Sequence, residues 1–283
     1  QPRSKSSRRW ALVAAASALV VGVGLLAQSI IPVGSPGAPV EANALEQLAQ
    51  VARTTPIPAD GYLRETVKYV SIDSGVTFTS STTRWVASDG WVWDATVNSQ
   101  APLKTFEKSP TLADDAATAL LPKNLPSDPN VLEQQMEDRY AKLMTHSNRN
   151  PAQVREHRAP SMFAAIYGRL SDPRTAQSDR VILLRTLPLI DGLTIENTTD
   201  PENRPALAVR VAYPGEMDNV DLVASIYFDP TNGDPLAYEE RTTQGALWRR
   251  QVVTDRRIVA ALPERIVKVL GTQRVKKAVG FGG

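Results

Sequence analysis

Trp10 to Val33 is a run of 24 residues without a charged side chain, and Arg3, Lys5, Arg8 and Arg9 precede it. At about 1.5 Å per residue a helix of that length spans a hydrocarbon core roughly 30 Å thick. Residues 10–33 are therefore expected to be a transmembrane helix, and residues 1–9 its basic flank. No acidic residue occurs before Glu41, so the positive-inside bias places the N-terminus in the cytoplasm and the rest of the chain outside the cell membrane, in single-pass topology.

The same run admits a second reading, a cleavable signal peptide with Ala42-Asn43-Ala44 as its small-residue site. A secretory apolar region is usually about 7–15 residues and lies close to its cleavage site. Here the run is longer, and Gly34, Pro36, Gly37 and Pro39 intervene, which favours an uncleaved anchor in contact with the lipid bilayer. A cytoplasmic part upstream of Gln1 is expected. Ala14, Ala18 and Gly22 recur every fourth position of the run, which would let one helix face approach another helix closely; small residues are also simply common in anchors.

The exterior part has 28 basic residues against 30 acidic ones, once the four flanking cations are set aside from the total of 32. That balance gives no sign of a nucleic-acid partner. Cysteine is absent, so disulfides, thiolate nucleophiles and Cys-ligated metals are all excluded, and the exported domain must hold together by its core.

Residues 34–60 read as a tether and a juxtamembrane helix. Leu45, Leu48, Val51 and Ala52 fall at helical spacing before Pro56 and Pro58, and without a basic face the stripe is expected to pack on the following domain. That domain, residues 61–262, begins with strands. Leu63, Val67 and Tyr69 alternate with Arg64, Thr66 and Lys68, while Thr82–Ala87 leads through Ser88-Asp89-Gly90 into the alternation of Trp91, Trp93, Ala95 and Val97 with polar residues.

Residues 110–190 read as helical. Asp128-Pro129 is a start signal ahead of Leu132, Met136, Tyr140 and Leu143; a second helix carries Met162, Phe163, Ile166, Tyr167 and Leu170; a third runs from Ser178 to about Leu187. Strands return at Leu193–Thr198, Leu207–Tyr213, Leu222–Phe228, Leu236–Thr242 and Leu247–Leu262. Segregated runs of this kind indicate an α+β domain: an antiparallel sheet packed on a helical insertion, in the order strands, helices, strands. Residues 263–283 read as a basic C-terminal tail.

No nucleophile elbow, Ser-x-x-Lys, His-Glu-x-x-His, P-loop or dinucleotide fingerprint occurs. His146 and His157 are the only histidines, too few for a zinc site without carboxylates. Asp229–Asp234 looks like a calcium loop, but Pro230 and the missing twelfth acidic position make it a hairpin turn. Asn197-Thr198-Thr199 fits a glycosylation acceptor. No catalytic residue, metal or cofactor is therefore expected.

Arg8-Arg9 before one anchor, Trp85 leading into Ser88-Asp89-Gly90, Leu125-Pro126-Ser127-Asp128-Pro129, Ile190-Asp191-Gly192-Leu193 and Phe228-Asp229-Pro230-Thr231-Asn232-Gly233 together resemble a family of single-pass membrane proteins of unassigned function from high-GC Gram-positive (actinobacterial) bacteria. More distantly the layout resembles the exported domains of anti-sigma regulators and lipoprotein-carrier-like folds, which implies a curved sheet around helices. Two readings follow. One is a membrane-anchored extracytoplasmic sensor or regulatory domain that binds an envelope ligand or protein partner without catalysis. The other is a lipid- or lipoprotein-binding module whose apolar cavity would be lined by Trp91 and Trp93 on the sheet and by Met162, Phe163, Ile166 and Tyr167 on a helix. These six residues are the candidates for a ligand-facing surface or core, and both rows are expected to point inward and pack on each other.

Overall fold

Eight strands pair edge to edge in one antiparallel sheet: β1 (Tyr62–Asp73), β2 (Val76–Ala87), β3 (Val92–Val97), β4 (Leu193–Thr199), β5 (Pro205–Pro214), β6 (Asp221–Phe228), β7 (Pro235–Thr242) and β8 (Leu247–Val259). Their order is β3-β2-β1-β8-β7-β6-β5-β4, so pairing of β1 with β8 joins the strands before the helices to those after them. The helices are α1 (Pro39–Val51), α2 (Pro129–Met144), α3 (Pro151–Glu156), α4 (Arg158–Leu170) and α5 (Gln177–Thr186). The α+β order of strands, helices and strands is the one observed.

The computed structural model describes residues 39–73, 75–97, 118–145, 150–215, 220–264 and 266–267. The run Trp10–Val33, with Ala14, Ala18 and Gly22, lies outside them, as do His146 and the cations Arg265, Lys268, Arg274, Lys276 and Lys277. Among the described residues no helix is long and apolar enough to cross a membrane.

Local chemistry accounts for the element ends. Gly90 adopts φ 85° in the β2–β3 turn, where its N–H donates to the Ala87 carbonyl at 3.0 Å. Asp128 caps α2 by accepting from the Asn130 N–H at 2.9 Å. Leu132, Met136 and Tyr140 on that helix are buried, whereas Leu143 is 43% exposed. The polar stretch between the first and second apolar helical segments contains α3, which the apolar pattern does not reveal. It is set by a capping box: Asn150 accepts from the Ala152 and Gln153 N–H groups, and the Gln153 side chain accepts from the Asn150 N–H.

Strand parity divides the sheet into two faces. Cross-strand partners share a face, so the row Leu63, Val86, Val92 lies on one side and the row Arg64, Trp85, Trp93 on the other. Tyr69, Gln251 and Tyr238 belong with Leu63. The Tyr167 hydroxyl of α4 donates to Gln251 Oε1 at 3.2 Å, and its ring stacks on Tyr238 with centroids 4.6 Å apart. The helices thus cover the Leu63 face. Contrary to the expectation from the sequence, the two apolar rows do not pack on each other: they lie on opposite faces of the sheet. Trp85, Trp93 and Ala95 instead pack with Ile266, Leu262 and Val259. Ile266 lies in the segment read as a basic tail, yet it is fully buried.

Candidate functional site

Position 65 is where the inward alternation of β1 breaks. Leu63, Val67 and Tyr69 are flanked on the same face by Glu65, only 2% exposed. A carboxylate taken out of water demands a charged partner, and the Arg256 guanidinium of β8, opposite it in the register, donates to it at 2.8 Å. Arg256 also pairs with Asp234 at 2.6 Å, and Asp234 pairs with Arg180 at 3.2 Å. Four elements (β1, β8, the β6–β7 turn and α5) therefore meet in one neutral, buried quartet of two cations and two anions. Arg180 also donates to the carbonyls of Asp172 and Thr175 at 3.3 and 3.4 Å. Arg84 and Asp94 form a further pair, 3.0 Å apart, on the same face.

Burial and charge compete differently at each cation. Burial lowers the Arg180 pKa from its ordinary value and outweighs the pull of Asp234. At Arg256 burial again opposes the charge, but Glu65 and Asp234 together overcome it and raise the pKa. The quartet's charge is thus anchored at Arg256 and held against desolvation at Arg180.

A cleft opens beside this quartet because the sheet splits there. β7 follows β8 only as far as the Ala237–Val252 pair, whereas β1 follows it to the Tyr62–Val259 pair, past a bulge next to Thr66 and Val67. Beyond Val252 the strand β8 thus leaves β7. The space left is a cleft of about 310 Å³, lined by Leu63, Arg204, Asp229, Asn232, Asp234 and Arg256 among others. Arg204, held by Asp200, donates to the Val253 carbonyl at 2.8 Å in the place β7 has vacated.

The β6–β7 turn forms one wall of the cleft and, on another side, the seat of α1. Asp229 accepts from the Thr231 N–H, and Gly233 adopts φ 72° while donating to the Asp229 carbonyl at 2.9 Å. A side chain at Gly233 would begin 3.1 Å from Cα and Cβ of Ala52, so glycine is needed both for the conformation and for the close approach. The Arg53 N–H donates to the Asn232 carbonyl at 3.1 Å, and Arg185 of α5 grips Glu46 at 2.7 and 2.8 Å. Leu45, Leu48, Ala49 and Ala52 are buried in this seat, so the helix packs on the domain as its apolar stripe implies.

The six residues singled out in the sequence are distributed otherwise. Met162, Phe163 and Ile166 are buried under the helical layer and Tyr167 is half-buried against Tyr238; Trp93 is buried on the far face and Trp91 is half-buried beside it, ring centroids 6.3 Å apart. None of them lines the cleft beside the quartet. Residues that sequence reasoning misses are Glu65, Arg180, Asp234 and Arg256. Two left a signal: Glu65 continues the Leu63/Val67 alternation, and Arg180 shares the helix face of Leu183, Leu184 and Leu187 by its spacing.

No family model matches the chain, and no curated protein matches it. Among solved structures the chain distantly resembles MucB, at 16% identity and TM-score 0.34 over 82% of this chain and 63% of that one. The MucA/MucB complex of Pseudomonas aeruginosa gives 17% identity and 0.31 over 80% and 59%. A LolA-superfamily protein of Nitrosomonas europaea gives 9% and 0.22 over 80% and 96%. The chain spans about three fifths of the length of the MucB chains it matches. Scores of this size leave the function to be read from the chain's own geometry.

Proposed function

We propose that the chain is a membrane-anchored, extracytoplasmic regulatory domain without catalysis, in which binding of a ligand or protein partner at the seam between β7 and β8 is reported to the anchor through α1. One observation carries the proposal. The turn that walls the cleft with Asp229, Asn232 and Asp234 also seats α1, through Gly233 against Ala52 and through the Asn232 carbonyl. In sequence α1 begins at Pro39, shortly after the apolar run ends at Val33. A change at Asp234 is thus two residues from the helix that leads to the anchor. The carboxylates of the quartet are both held by guanidiniums, an arrangement suited to holding a shape rather than to proton transfer. The close packing of Tyr167 on Tyr238, with Phe163 and Ile166 fully buried, favours this reading over a lipid-filled chamber between helices and sheet.

Hydrogen exchange on the full chain in membranes tests the coupling. Asp234→Asn alters a cleft wall without changing any side chain of α1, and it should raise the exchange rate of the Leu45–Ala52 amides several-fold. Unchanged exchange in α1 alongside faster exchange at 229–236 would refute the coupling. A reporter fused after Gly283 that is active only in the cytoplasm would refute the topology.

A further inference from the structure

The β6–β7 hairpin stops short of its neighbour. β7 begins at Pro235, and the residues just ahead of it turn aside to seat α1. β8 continues past Val252 to Val259, paired with β1 on one side only. Outside a bulge, successive residues of an antiparallel strand turn their N–H and C=O groups to alternate sides, so this stretch presents donors and acceptors to the side that β7 has left. Arg204 occupies the first of these positions: its guanidinium bridges the Leu236 carbonyl of β7 at 3.4 Å and the Val253 carbonyl of β8 at 2.8 Å. Beyond it the cleft of about 310 Å³ runs along Val253–Arg257, and among the described residues no strand pairs with β8 there.

The polar side chains of the cleft are already committed to one another. Arg204 is held by Asp200, Arg256 by Glu65 and Asp234, and Asp255 by Arg64. Asp229 accepts from the Thr231 N–H and hydroxyl at 2.8 and 2.6 Å, and Asn232 accepts from the Asp234 N–H at 2.8 Å. A charged small molecule would have to break one of these pairs to be held. The backbone of β8 carries no such penalty, and its row of donors and acceptors matches an extended polypeptide. We infer that the ligand of the seam is an extended peptide segment of a partner protein, which adds to the β8 edge at Val253–Arg257 as a strand in line with β7. The inference rests on the seam being the binding site, as in the function proposed above. A cleft of this volume is at the small end of ligand sites, which suits a short segment rather than a folded domain.

The chain has no cysteine, and Thr55 is an exposed residue lining the cleft, so Thr55→Cys places a single thiol there. The probe is an alternating Thr-Val peptide joined to a cysteine by a short Gly linker. Under thiol–disulfide exchange with the full chain in micelles, Thr55→Cys should capture it at least tenfold more than Gln134→Cys, placed on the exposed side of α2. The same peptide methylated at every amide nitrogen keeps its side chains but cannot donate, and its capture should fall at least tenfold. In the captured complex the seam-facing amides of Val253–Arg257 should exchange at least tenfold more slowly. Equal capture at the two positions, undiminished capture of the methylated peptide, or unchanged exchange at Val253–Arg257 overturns the inference. So does protection of those amides before any peptide is added, because the chain or a second copy would then fill the edge itself. Failed capture with α1 still responding to Asp234→Asn removes the peptide and leaves the coupling; capture with an unresponsive α1 upholds the peptide and refutes the coupling.

Discussion

Replacing Arg180 by Met tests whether the buried quartet holds the helical layer to the sheet. The side chain is 4% exposed and its partner Asp234 10% exposed. Removing one member of a buried ion pair typically costs about 3–5 kcal/mol, because the other charge is left uncompensated. Two features reduce that figure here. Asp234 keeps Arg256 at 2.6 Å, and Arg180 itself is disfavoured by burial, as its lowered pKa shows. Against this, the carbonyls of Asp172 and Thr175 lose a donor. The expected net loss is about 2–3 kcal/mol, which for a domain of this size lowers the melting temperature by roughly 5–10 °C. Thermal unfolding of the full chain in micelles, followed by near-ultraviolet circular dichroism, measures it. Adding Asp234→Asn removes the surplus negative charge and leaves Arg256 with Glu65 alone, so the double variant should be more stable than the sum of the two single changes by about 1–2 kcal/mol. A loss under about 0.5 kcal/mol for Arg180→Met, or strict additivity, would show that the quartet contributes nothing as a unit.

Trp93→Ala should destabilise the domain by about 3–5 kcal/mol in chemical unfolding, since the ring is buried against Trp85 and Ile266; Ile266→Ala should act in the same direction, and an unaffected midpoint would mean that the C-terminal segment is not part of the core. Alkaline pH should unfold the domain. Burial raises the hydroxyl pKa values of Tyr69, Tyr167, Tyr213 and Tyr238 above the ordinary value, so the folded form holds protons that the unfolded chain releases near pH 10. Stability is full below that pH and falls as pH rises above it. Tyr167→Phe should flatten that fall, read by urea unfolding between about pH 9 and 11; a slope equal to that of the unaltered chain would contradict it.

The fold class was legible because its signals are local: period-two runs, an Asp-Pro helix start, a Ser-Asp-Gly turn and a turn-forming hairpin loop at 229–234. The short helix α3 was missed, because it buries no residue of its own and its signal is only the Asn150-Pro151 start with Gln153 in a polar stretch. Segment lengths were less readable. β1 and β2 run to 12 residues each, and the half of β2 that projects past β3 is threonine, serine and exposed valine and phenylalanine, with no core alternation to reveal it.

Which face of the sheet a residue occupies is another matter, because it depends on pairing between distant strands. The Trp row and the helix row each look like half of a core, and each is. What separates them is the parity of β1 against β8, where Tyr69 meets Gln251 and Arg64 meets Arg257, and no local pattern encodes that register. The quartet is hidden for the same reason. Asp234 and Arg256 each read as an ordinary surface charge within their own segment; with Glu65 and Arg180 they become a buried set only when β1 closes on β8 and α5 lays Arg180 over the turn. A charge pattern that gains meaning only from long-range pairing requires the whole sheet to assemble before its burial cost is offset, which ties the seat of α1 to completion of the sheet rather than to its own helical propensity.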